Sequence, residues 1–215
     1  MLKCRLKSAA ISSIIALTAA TIAVQAGNQS PTSQVHPVET HPSRGEIRTV
    51  TGASARLVKT DSGLFATLDT NGLQPGNVYT LWLVVINDPS KCSQSPCSPK
   101  DVLKRSKVVN SDVGYAGGII AAKDGSGRFA THQTKGELSS AWFGNGLKAP
   151  DKAEVHLVVN DHGPLIANRV ADMLSTYRGG CTEVSIPKPM PSTARADGAP
   201  GPNTCRLWQH AIFKN

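Results

Sequence analysis

The chain has 215 residues, of which 40% are hydrophobic and only 5% aromatic, and it carries a formal net charge of +8. That length supports one good core, and so few aromatic side chains leave no stacking platform for nucleic acid. Without Lys3, Arg5 and Lys7 the charge falls to +5, a mild excess whose densest run, "KDVLKRSK" (Lys100, Lys104, Arg105, Lys107), reads as a solvated loop.

Residues 1–26 have the three-part layout of a secretory signal. Lys3, Arg5 and Lys7 precede an apolar run from Ala9 to Val24, and Val24-Gln25-Ala26 supplies the small residues a signal peptidase needs. The run is about 16 residues long, short of the roughly 20 that span a bilayer. The expectation is a chain exported to the periplasm or beyond, with no transmembrane segment after cleavage. Residues 27–45, "GNQSPTSQVHPVETHPSRG", are polar and broken by proline, and read as a flexible leader in which His36 and His41 are solvated. Residues 46–215 read as a single domain.

The remaining cysteines, Cys92, Cys97, Cys181 and Cys205, are even in number, which in an exported chain points to disulfides. Of three possible connectivities, Cys92–Cys97 and Cys181–Cys205 are favoured. They would staple the "CSQSPC" loop and a Pro- and Gly-rich loop over 182–204. Neither spacing is the CxxC of a zinc site.

Between Glu46 and Asp161, β-rich runs alternate with turns. "EIRTVTGASARLVKT" and "GLFATLD" flank Asp61-Ser62-Gly63, and "VYTLWLVVI" follows "NGLQPGN". "VGYAGGIIAA" and "GRFATHQT" flank Asp124-Gly125-Ser126-Gly127, and "EVHLVV" comes next. Gly114, Gly117 and Gly118 mark a bulge or bend. These spacings predict an all-β fold, an antiparallel β-sandwich of immunoglobulin-like, Greek-key type, and not βαβ units.

"LQPGNVY", Leu73 to Tyr79, resembles the tyrosine corner of fibronectin-type and immunoglobulin-like sandwiches. The resemblance implies that the Tyr79 hydroxyl bonds an upstream backbone group above Leu73. More widely, "GLQPGNVYTLWLVVINDPSKC", "AEVHLVVNDHGP" and "GPNTC" resemble a group of exported bacterial β-sandwich proteins of uncharacterised function, with a distant likeness to CHRD-type domains. That resemblance implies fold and compartment only. The HxH spacing of copper/zinc superoxide dismutases and of CHRD domains is absent, as is the Cys-His-Met cluster of cupredoxins.

"GPLIANRVADMLSTYRGGC" predicts one helix over 164–178, begun by Pro164 and stopped by Gly179-Gly180, with Leu165, Ile166, Val170, Met173, Leu174 and Tyr177 facing the sheet. "CRLWQHAIF" returns as a final strand.

Chemistry rests on four histidines. Period 2 puts His156 on one face of its strand with Val158 and Asn160, while His162 follows that strand, His132 ends another and His210 lies in the last. If the fold brought His132, His156, His162 and His210 together they would suit zinc or copper, with Asp161 behind them. No GxSxG, HExxH or phosphate loop is present, so no catalytic residue and no cofactor is assigned. The leading expectation is a binding or envelope-associated module of unknown partner. A His-ligated metalloprotein is the alternative.

Overall fold

The computed structural model describes residues 30–185 and 199–214, so the predicted signal peptide and most of the 182–204 loop lie outside the described residues. The architecture is all-β and antiparallel, as expected. Among the described residues eight strands form one sheet: β1 (Thr32–Thr40), β2 (Thr49–Thr60), β3 (Gly63–Thr70), β4 (Asn77–Ile86), β5 (Ser111–Ile120), β6 (Gly127–Thr134), β7 (Glu154–Pro164) and β8 (Arg206–Phe213). Their spatial order is β5-β4-β7-β8-β1-β2-β3-β6. The edge strands β5 and β6 are joined by a hairpin turn and touch, so the sheet curls into a nearly closed barrel, an arrangement close to a sandwich.

Alternation aims the side chains. In β2, Ala55, Leu57 and Lys59 point inward and are buried while Ser54 and Arg56 are exposed. Strand β4 is buried along almost its whole length because it has two covered faces. Tyr79, Leu81, Leu83 and Val85 join the interior core, and Trp82, Val84 and Ile86 join a second core on the outer surface. The β4–β5 register slips between Leu81 and Trp82, which is the bend foreseen at the "GYAGG" glycines. A Cβ on Gly118 would stand 2.1 Å from the carbonyl oxygen of Leu174, so only glycine lets that segment pass so close.

The outer core is roofed by α1 (Pro99–Lys104), α2 (Ser106–Val109), α3 (Val170–Ser175) and the loops stapled by Cys92–Cys97 and Cys181–Cys205, both of which are bonded. Three expectations are corrected here. The segment read as a flexible leader holds β1, which fills the slot between β8 and β2; Pro37 is tolerated because β8 pairs only with Glu39 and Thr40. The "KDVLKRSK" run is not a solvated loop. It starts inside α1, whose Ser98–Asp101 capping box and buried Val102 hold it to the protein. The helix over 164–178 shrinks to α3, because β7 runs on through Pro164, which pairs with Asn77, and a single 3₁₀ turn (Ala167–Arg169) intervenes.

The Tyr79 hydroxyl accepts a hydrogen bond from the backbone N–H of Gln74 at 2.9 Å, and Leu73 is buried beside it. Burial pushes the Tyr79 phenol up to about 12.

Candidate functional site

Between the outer face of β4, β7 and β8 and its roof lies a cavity of about 200 Å³. Its walls are almost wholly apolar. Trp82 and Val84 rise from β4, Val158 from β7, and Trp142 and Tyr177 lean in from the roof. The rings interlock edge to face, with Trp142 and Tyr177 centroids 4.9 Å apart and Trp82 and Tyr177 5.1 Å apart.

The roof is pinned by buried carboxylates. Asp112 accepts from the backbone N–H groups of Val113, Phe143 and Gly146, which fixes the loop carrying Trp142. Asp101 accepts from Ser93 and Ser98 through both hydroxyl and backbone groups, and these bonds, Ser98 first, hold it well below the usual carboxylate range. Glu154 is 2% exposed and accepts at Oε1 from Cys97 N–H and from His156 Nε2, each at 2.7 Å.

One edge of the cavity carries three imidazoles: His41, His156 and His210. His156 and His210 are diagonal neighbours, since Val158 pairs with His210 and His156 with Ile212. His41 stands edge-on to His210 with centroids 5.6 Å apart. Its Nδ1 accepts from Ser43 N–H, so the neutral ring carries its proton on Nε2. Burial and the neighbouring His210 depress His41 to about 4. His210 is also depressed to about 4, by burial and then by His156, with the Thr40 backbone acting weakly the other way. Among the described residues no well-aligned hydrogen bond reaches the buried Nδ1 of His210, and the buried indole N–H of Trp142 has no acceptor.

The four histidines expected to converge do not form one cluster. His156 and His210 share the cavity edge. His132 is exposed on β6, where it pairs across from Phe65 of β3. His162 is fully buried and locked between Thr80 Oγ1, at 2.7 Å from Nε2, and the Gly179 carbonyl, at 2.8 Å from Nδ1. Burial brings it to about 4, opposed by the bond to Gly179. Asp161 is taken up by Asn77, Gly163 N–H and Arg206, away from any imidazole edge.

Among the described residues, only His162, Cys181 and Cys205 bring three potential metal-ligand atoms within 4.8 Å, and both sulfurs are spent in a disulfide. The residues that sequence reasoning missed are Glu154, Trp142, Asp112 and His41. Glu154 had a signal: "EVH" puts a carboxylate and an imidazole two apart, on one face of a strand. His41 had none, because its segment does not look like a strand. Neither a protein-family model nor a curated protein nor a solved structure matches the chain.

Proposed function

We propose that the protein is an exported binding module whose disulfide-stabilised barrel takes up a small apolar ligand on its outer face. The observation that carries this reading is the cavity itself. A void of about 150 Å³ lined by apolar side chains suffices for benzene, and this one is larger, walled by Trp82, Trp142 and Tyr177, and edged by the imidazoles of His41, His156 and His210. Apolar walls with a few placed polar groups are the usual make-up of a ligand site. Export is supported by two disulfides, which persist in oxidising compartments. Among the described residues no helix is long and apolar enough to cross a membrane.

Zinc or copper held by His132, His156, His162 and His210 has weaker support, because their rings are dispersed. Thermal denaturation with single-ring hydrocarbons such as ethylbenzene tests the binding reading. A saturable rise in Tm is expected, because a ligand at 100 Kd adds about 2.7 kcal/mol. Val158→Trp, which fills the void, should abolish the rise. No shift with any apolar compound, together with stoichiometric uptake of zinc or copper, would overturn the reading in favour of the metal.

A further inference from the structure

Glu154 and His156 together settle which hydrogen bond the cavity offers. Oε1 of Glu154 accepts from Cys97 N–H and from Nε2 of His156. A carboxylate is an acceptor only, so Nε2 carries a proton, and in the singly protonated tautomer the ring presents its lone pair at Nδ1. Among the described residues no group hydrogen-bonds that Nδ1, and the ring lines the cavity. An occupant without a donor would strip Nδ1 of water and give nothing back, which is the costly arrangement for a buried polar atom.

An uncharged hydroxyl supplies that donor and brings little further polarity into an almost wholly apolar cavity. A carboxylate is disfavoured, since Glu154 stands behind His156 and, among the described residues, no Lys or Arg side chain lines the cavity. The volume of about 200 Å³ fits one ring with a short substituent. We infer that the cavity selects a neutral single-ring hydroxyl compound of the phenol class, whose O–H donates to Nδ1 of His156. This rests on the apolar-ligand reading above and names its ligand class.

The test uses two isomers of equal size and composition, 4-ethylphenol and 4-methylanisole, with ethylbenzene as the apolar reference, each titrated into the full-length mature protein by calorimetry. The expected result is at least about tenfold tighter binding of 4-ethylphenol than of its isomer, the factor of roughly 1.4 kcal/mol set by one unpaired buried acceptor. His156→Leu should bring the two isomers together while retaining ethylbenzene. In ¹⁵N-labelled protein the phenol should shift Nδ1 of His156, a signature independent of the variant. Equal binding of the isomers in the wild type would overturn the hydroxyl selection and leave the apolar-ligand reading standing. Failure of all three compounds to bind would overturn both.

Discussion

Nδ1 of His162 donates to the carbonyl oxygen of Gly179 across 2.8 Å, and the ring is wholly buried. With Nε2 taking the Thr80 hydroxyl, which in turn accepts from Trp82 Nε1, the neutral imidazole ties the turn after α3 to the face of the sheet. A second proton on Nε2 would break that chain.

Acid lability follows. His162, His41 and His210 are each depressed from 6.5 to about 4. As pH falls the unfolded chain binds these protons first, so stability that is fully present above pH 6.5 is lost progressively down to pH 4. His162 alone accounts for about 3 kcal/mol of that loss. Asp161, raised mainly by burial, acts in the opposite direction near the lower end. Urea unfolding at pH 7.5, 5.5 and 4.5 should show falling midpoints. His162→Gln should be less stable at pH 7.5 but flatter across the series. A midpoint that does not move between pH 7.5 and 4.5 contradicts the assignment.

Loop closure makes the two disulfides unequal. Cys181–Cys205 spans 24 positions and Cys92–Cys97 spans 5. On the chain-entropy relation their removal costs about 3.5 and about 2 kcal/mol respectively. Cys97 also lines the cavity and donates its N–H to Glu154. Pairwise serine replacement should therefore split the effects. Loss of Cys181–Cys205 should lower the urea midpoint more, while loss of Cys92–Cys97 should weaken ethylbenzene binding more.

What could be read from the chain and what could not divide along a physical line. Strands β2 and β6 announce themselves because side-chain alternation reports burial one residue at a time, as Ala55, Leu57 and Phe129 do, and β4 because its apolar run is nearly continuous. Both disulfides are legible from the even number and the spacing of the cysteines after residue 26. Strand β1 was not, because its place comes from the partners it finds. Of its nine residues only Val38 is buried, and its identity lies in hydrogen bonds to β2 and β8. The segment after β7 reads as a longer helix because Ile166, Val170, Met173 and Tyr177 keep helical spacing, yet Leu165 is 43% exposed and Pro164 still belongs to the sheet. The cavity is a tertiary object, since Trp82, Trp142, Tyr177, His156 and His210 come from five separate segments. No local pattern encodes their meeting.

The tyrosine corner offers a narrow test of the β3–β4 connection. Tyr79→Phe deletes the acceptor for Gln74 N–H and leaves the ring in the core. The Gln74 segment is exposed, so water can replace part of the bond, and a loss of about 1 kcal/mol is expected. A urea midpoint identical to wild type would show that the hydroxyl contributes nothing to the corner.

Asp112 should govern the cavity through Trp142 without touching a ligand. It is fully buried, and it accepts three backbone N–H bonds: Val113 and Phe143 at Oδ1, Gly146 at Oδ2. In Asp112→Asn the amide nitrogen must face at least one of those donors, which leaves buried N–H groups opposed. The cost expected is about 2–3 kcal/mol. The loss should be local, because the strand pairs of β5 with β4 do not depend on the carboxylate. Amides of Phe143 and Gly146 should exchange with solvent faster than those of β4. Ethylbenzene affinity should then fall further than in Leu68→Ala, which weakens the interior core without touching the roof. If both variants, matched for stability, bind ethylbenzene equally, the roof loop does not hold Trp142 in the site.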